Sequence, residues 1–262
     1  MPRIAPLWFL CLVGLLGGGH ALAQTEPPCG AETPCEIENG GYHLLFPPEW
    51  DGETPLPAVI YFHGHRSSGA SVFRGGSMQT VFADAGYLVI APNGQPLANS
   101  RGYRWPARPP EGQARDDVAF TLDVLADASR QVPQIDNDKI YVTGFSAGGS
   151  MAWMMACEVC PAGPVRVLQI HGFSDTQVPL EGRGIGDWHQ GDVFETLSLA
   201  RRTNSCRSNP DEISIGTPFS CRTWGESCGS EALALCLHDG GHGLPKGWAE
   251  QARDWFEGGL AQ

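Results

Sequence analysis

The chain has 262 residues, 42% of them hydrophobic, and a formal net charge of −12. That length suits one domain with a substantial core. The acidic balance argues against nucleic acid as a partner, because phosphate contacts need a basic face.

The amino terminus reads as a targeting segment. Arg3 precedes an apolar run, Pro6 to Leu16, and Ala21-Leu22-Ala23 fits a small-residue cleavage site with maturation at Gln24. The run is shorter than the roughly 20 residues a membrane span needs. Residues 1–23 are therefore expected to be a signal peptide, and residues 24–262 a single secreted domain, extracellular or periplasmic, with no membrane association after cleavage. Cys11 leaves with the signal peptide. Cys29, Cys35, Cys157, Cys160, Cys206, Cys221, Cys228 and Cys236 remain, an even set that favours disulfides in an exported chain. Cys29–Cys35 is the expected local bridge. A zinc reading would rest on one C-x-x-C, Cys157 to Cys160, with no second motif to match.

Further along, "CEIENGGYHLLFP" reads as two short strands around Asn39-Gly40-Gly41. "PAVIYFHG" and "GYLVIAPNG" are apolar runs of the kind buried on both faces of a sheet. "DDVAFTLDVLADASRQ" places Val118, Leu122, Leu125 and Ser129 at helical spacing, with Asp116 and Asp117 where a helix dipole favours acids. "KIYVTGFS", "VRVLQIHG" and "ALALCLHDG" are further strands, and helical patterns fall at 147–157, 191–202 and 247–257. Strands alternating with helices imply a largely parallel α/β sheet, whose ligands bind at the carboxyl ends of the strands.

Candidate chemistry lies at those ends. Gly144-Phe145-Ser146-Ala147-Gly148 matches G-x-S-x-G between a strand and a helix. Such a turn exposes the serine hydroxyl and aims the next backbone N–H, that of Ala147, at developing negative charge. A serine needs a base. His242, in "HDGGHGLP" after the last strand, is the best placed. His238, His171 and His63 sit at strand ends, where they shape loops, and His43 and His189 have no supporting pattern. Asp175, ending the fourth apolar strand, is the candidate to orient the base, ahead of Asp187, Asp192 and Asp239. Ser146, Asp175, His242 is the chain order of an α/β-hydrolase triad. The backbone N–H of His65, with Arg66 second, is the candidate for the other oxyanion donor. Tyr103, Trp105, Trp188 and Trp224 are candidate loop aromatics for substrate, and Trp248 and Trp255 look like helix packing.

"YFHGHRSSG", "GFSAGGSMAW", "ACE", "LQIHGFSDTQVP" and "GGHGLP" resemble the secreted polyhydroxybutyrate depolymerase-like and feruloyl esterase family over about residues 29–257. The resemblance implies an α/β-hydrolase fold and carboxylic ester hydrolysis without a cofactor or metal. It also implies an ester substrate, polymeric or small, with Ser146 as nucleophile, Asp175 as acid and His242 as base; the expected form is a monomer. A serine peptidase, and a catalytically impaired protein that binds a carbohydrate or polymer, are the competing readings.

One departure stands out. Relatives usually carry a further strand between the nucleophile helix and the strand of the acid, often reading like "FAAVAPVSG". Here "VCPAGP" stands in its place, and Asp175 follows Ser146 by 29 residues. A helix of about 12 residues, two strands of about 5 and a crossover of about 10 exceed that length. One strand is therefore expected to be missing. Because unpaired buried backbone groups are costly, Val165–Ile170 is expected to slide beside Ile140–Val142 and fill the gap.

Overall fold

The computed structural model describes residues 29–30, 33–74, 76–98, 101–106, 115–159, 165–186, 188–228 and 232–259. The expected signal peptide, Cys160 and Asp187 lie outside them. The strands and helices are β1 (Cys35–Ile37), β2 (Gly40–Leu45), β3 (Leu56–Phe62), β4 (Leu88–Pro92), β5 (Gln95–Pro96), β6 (Tyr103–Arg104), α1 (Asp117–Gln131), β7 (Ile135–Gly144) and α2 (Ala147–Val159). They continue with β8 (Val167–Gly172), β9 (Arg183–Ile185), β10 (Trp188–Gln190), α3 (Val193–Thr203), β11 (Glu212–Ile215), β12 (Ser220–Trp224), β13 (Leu233–His238) and α4 (Trp248–Phe256).

Local chemistry sets the element ends. The β1–β2 turn uses Asn39 at φ 68°, a left-handed value that asparagine tolerates. Asp116 caps α1, its carboxylate accepting from the N–H groups of Val118 and Ala119, and Asp192 caps α3 in the same way. The buried stripe of α1 differs from the expected one. Phe120, Thr121, Val124 and Ala128 face the core, while Leu122 is 43% exposed. Phe120 is the larger anchor, and its ring carries the Arg115 guanidinium at 3.5 Å.

Two sheets form the centre. The first has the order β1-β2-β4-β3-β7, with β3 parallel to both β4 and β7. The second has the order β11-β12-β13-β8, with β13 parallel to β8. One core face of the first sheet packs on α1 and α2. The other meets the turns between β3 and β4, and α4. Helix α4 also covers the second sheet through Trp255, and its Phe256 stacks on Tyr141 of β7 at 4.6 Å. The expected packing role of Trp248 and Trp255 is what the structure shows.

No strand lies between α2 and β8 in the described chain. The expected sliding of β8 against β7 does not occur: β7 pairs with β3, β8 pairs with β13, and each is the last strand of its sheet. Two physical terms account for this. Strand β8 is committed to β13 along six residue pairs, Val167–Gly172, and moving it alone would break that ladder. The facing residues of β7 and β8 are also half-exposed rather than buried. Their backbone groups stay within reach of solvent, so the penalty for an unpaired buried group is not incurred. A slot of about 360 Å³ separates the two strands, and Ser146, Asp175 and His242 line its carboxyl end.

Disulfides close Cys29–Cys35, Cys206–Cys228 and Cys221–Cys236. The first is the expected bridge. Cys157 is exposed and has no disulfide partner among the described residues. The Cys221–Cys236 bridge spans the β12–β13 pair. Removing it with a Cys221→Ala, Cys236→Ala double variant should destabilise the fold by about 2–4 kcal/mol. Chemical denaturation reads this as a lower midpoint, with a steeper slope because the unfolded chain exposes more surface once the bridge is gone. An unchanged midpoint would show that the bridge contributes nothing.

Candidate active site

Ser146 sits between β7 and α2 at φ 56°, a left-handed conformation that costs energy for a residue with a Cβ. Its neighbours permit the turn. A Cβ on Gly144 would collide with the Gly148 carbonyl, and one on Gly148 with the Phe62 carbonyl. Helix α2 therefore begins pressed against β3, with the Ala147 N–H at its first turn, where the positive end of the helix dipole lies.

His242 is held on both sides. Its Nδ1 lies 2.8 Å from Asp175 Oδ2 and its Nε2 lies 2.9 Å from Ser146 Oγ. The second Asp175 oxygen accepts from the N–H groups of Gln177 and Val178 at 2.8 and 2.9 Å. Burial pulls the Asp175 carboxyl upward. The hydrogen bonds from Val178, His242 and Gln177 outweigh burial and leave it below the usual carboxylate range. An ionised Asp175 can only accept, so the His242 Nδ1 carries the proton and Nε2 offers its lone pair to the serine hydroxyl.

The loops of Asp175 and His242 are tied to each other. Phe173 N–H donates to His238 O and Ser174 N–H to Gly240 O, and a Cβ on Gly172 would strike the carbonyls of Gly240 and Gly241. Asp175 and His242 thus ride together on the second sheet, while Ser146 rides on the first. The Asp175 loop takes the form of an Asx turn, the carboxylate accepting from the N–H groups of Gln177 and Val178. The aspartate in "SDTQVP" carried that signal.

The other histidines are structural. His63 is buried, its Nδ1–H donating to Gly64 O and its Nε2 accepting from Gly94 N–H; burial pushes its pKa down to about 4. His171 donates to Val178 O and accepts from Gln169, steadying the loop that carries Asp175. His238 accepts from Gly240 N–H. Asp239 is exposed and Asp192 is spent on α3, which leaves Asp175 as the carboxylate beside His242.

Around the oxyanion position, Arg66 N–H is used by Tyr103 O, which removes it as the second donor; His65 is exposed on the preceding turn. Trp105, expected on an exposed loop, is 7% exposed and packs on Phe62, its indole N–H bonded to His63 O. It is a core residue, because its N–H finds a partner only by turning inward. Tyr103 is partly buried, its ring beside that of His63, and Trp188 lies in β10. Trp224 packs on the Cys206–Cys228 region. Sequence reasoning missed Phe173, 70% exposed, and Leu244, 38% exposed, apolar residues two positions from Asp175 and His242 in the chain. Among the described residues no three His, Cys, Asp or Glu side chains gather as a metal site would require, and no helix is long and apolar enough to cross a membrane.

The structure aligns with an acetyl xylan esterase from Aspergillus awamori at a TM-score of 0.61 and 15% identity, over 84% of this chain and 94% of that one. A Bacillus cereus carboxylesterase follows at 0.54 and 15%, over 85% and 96%. This is an α/β-hydrolase fold. By sequence, this α/β-hydrolase is 26% identical to a probable feruloyl esterase C of Aspergillus niger over 85% of each chain. It is also 25% identical to a putative esterase, NocK, of Nocardia uniformis, over 73% of this chain and 66% of that one. No family model matches. The resemblance to feruloyl esterases read from the motifs is thus borne out over most of the chain.

The depressed Asp175 carboxyl has a consequence for folding. Its native pKa lies below the ordinary 3.8. It therefore contributes stability that is complete above about pH 4 and is lost as pH falls through the lower native value. Asp175→Asn should flatten the acid limb of the stability curve, measured by denaturant unfolding between about pH 2 and 5. A limb of unchanged slope would mean that Asp175 is not held ionised by this network.

Proposed function

We propose that this chain is a serine carboxylesterase working through an acyl-enzyme. The observation that carries the reading is the continuous run from Ser146 Oγ through the His242 ring to Asp175 at 2.9 and 2.8 Å. Ester hydrolysis is supported by the relatives, a probable feruloyl esterase C and an acetyl xylan esterase among them.

Ser146 Oγ attacks the ester carbonyl carbon as His242 Nε2 takes its proton. The tetrahedral oxyanion meets the Ala147 N–H, with the His65 N–H as second donor. His242 returns the proton to the leaving alcohol, then activates water to release the acid. Asp175, with its other oxygen fixed by two backbone N–H groups, stabilises the imidazolium without taking its proton. Leu244 lines the slot with Ser146 and His242 and offers an apolar contact to the organic part of an ester. Feruloyl, acetyl and polyhydroxyalkanoate esters are the substrate classes to test. Export as a soluble monomer fits the three disulfides and the amino-terminal apolar run. The impaired-binder reading needs a broken triad, and the 2.9 and 2.8 Å contacts weigh against it.

Ser146→Ala should lower kcat on a p-nitrophenyl ester by about 10⁶-fold, the loss seen when a triad acts as a unit. A fluorophosphonate should label Ser146 and no other serine. Retained turnover, or label elsewhere, would overturn the assignment. Because only a neutral imidazole accepts the serine proton, kcat/KM should rise with pH and then level. A profile flat from about pH 5 to 8 would remove a histidine base.

A further inference from the structure

Positive charge in this acidic chain is gathered at one corner of the molecule. Residues 54–110 contain five arginines, Arg66, Arg74, Arg101, Arg104 and Arg108, and one acid, Asp84. Over the whole chain 29 acids outnumber 17 bases, so the segment runs against the general balance. The fold draws three of the five together. Arg66 N–H donates to Tyr103 O and Tyr103 N–H to Ser67 O, and a Cβ on Gly102 would strike Arg66 O. Arg101 and Arg104 flank that contact, before and within β6. All three are exposed. No described carboxylate forms an ion pair with any of them, whereas Arg115, Arg130 and Arg253 each have one. Asp84 accepts from the Gln79 amide.

This corner lies beside the serine. Its turn is closed by Ser67 N–H donating to Gly64 O. A Cβ on Gly64 would meet the Phe145 ring at 3.2 Å, and Phe145 directly precedes Ser146. We infer that Arg66, Arg101 and Arg104 form a docking surface for the carboxylates of an acidic polysaccharide, a hydroxyl-bearing polymer whose esters are cleaved at Ser146. The inference names a substrate class for the proposed esterase. It rests on that reading for the cleavage, and not for the binding.

The chemistry of the corner sets the class. Every base in it is arginine, whose planar fork matches a carboxylate through two parallel hydrogen bonds. Each arginine is exposed, and a single exposed ion pair contributes little, so a lone small anion is held weakly. A polymer that repeats its carboxylates engages the three arginines at once and gains through effective concentration. No large apolar side chain is exposed among the described residues of 54–110, so a lipid surface finds nothing to bury there. A phosphate polymer carries a denser charge, which the −12 of the chain repels. A sugar polymer spaces its carboxylates a ring apart, and the basic corner steers it toward Ser146.

The test uses the full chain, produced in an oxidising compartment and carrying Ser146→Ala, so that binding is read without turnover. Polygalacturonate is the probe. Dextran as a neutral polymer, inorganic polyphosphate, and phosphatidylserine–phosphatidylcholine vesicles are the other arms. Polygalacturonate should bind saturably, and at least about tenfold more weakly at about 200 mM salt than at about 20 mM, because exposed charges are screened. Adding Arg66→Gln, Arg101→Gln and Arg104→Gln should weaken it at least about tenfold. Adding Arg202→Gln, Arg207→Gln and Arg222→Gln instead removes the same charge from α3, the loop after it and β12, and should change binding by less than about twofold. If the first triple variant fails to fold, Arg101→Gln and Arg104→Gln singly decide, each expected to weaken the polymer about threefold. No saturable binding at low salt, equal loss in both triple variants, or dextran bound as tightly would overturn the inference. Tighter binding of polyphosphate or of the vesicles would overturn it in favour of a phosphate polymer or a lipid surface. Polygalacturonate binding without hydrolysis of any p-nitrophenyl ester by the unsubstituted chain would overturn the esterase reading and leave the docking surface standing.

Discussion

The contact on which this molecule turns is the 2.9 Å hydrogen bond between His242 Nε2 and Ser146 Oγ. It joins two bodies. Ser146 is fixed by the glycine-lined turn on the first sheet, and His242 and Asp175 are fixed to one another on the second. In a continuous sheet, ladder hydrogen bonds would set the distance between such bodies. Here it is set by the helices on either face. Helix α4 reaches β7 through Phe256 on Tyr141 and β8 through Arg166, whose guanidinium bonds Trp255 O and lies over the Trp255 ring. Helix α2 reaches β8 through Trp153 Nε1 and Gln169 Oε1 at 2.9 Å.

This division of labour explains why the second sheet stays where it is. Two parallel strands brought into register would gain a ladder, each bond worth about 1 kcal/mol net. The same movement, by one strand spacing of about 4.8 Å, would pull β8 away from the apolar contacts of Leu168 and Ile170 with Trp255. It would also break the Trp153–Gln169 bond and carry Asp175 and His242 out of line with the serine. Burial of a large side chain contributes about 1.5–3 kcal/mol, so a few such contacts offset the ladder. Half-exposure of both banks lowers what the ladder would have gained. Expecting closure meant counting the unpaired groups as buried, which they are not.

What was legible in the sequence follows from how local each signal is. The turn around Ser146 is encoded by five adjacent residues and was readable, as were the acids at the start of α1 and the Cys29–Cys35 bridge; Asp192, weighed as an orienting acid, instead caps α3. The missing strand was readable too, since chain length is a local count. Where β8 would lie was not, because that depends on β13 and α4, distant in sequence. The α1 stripe was read in part: Val118 and Leu125 pack on the core, while Leu122 is 43% exposed and Phe120 is buried in its stead. Trp105 was placed on a loop because its neighbours are polar, yet the carbonyl that receives its N–H belongs to His63, 42 residues away. Phe173 and Leu244 gave no periodic signal at all, since each sits singly beside a functional residue.

The slot also changes what rigidity means at this site. Preorganisation normally comes from a scaffold stiffer than the side chains it carries. On the His242–Asp175 side that holds: two backbone N–H groups, a histidine–carboxylate bond and the packed glycines at 172, 240 and 241 leave little freedom. On the Ser146 side it holds as well, through the contacts of Gly144 and Gly148. The compliance lies between the two halves, where side-chain packing replaces backbone pairing. Packing resists compression more sharply than it resists a small separation, because dispersion fades over about 1 Å while overlap is repelled at once. The Ser146–His242 distance is therefore bounded on its short side by α2 and α4 and only loosely on its long side.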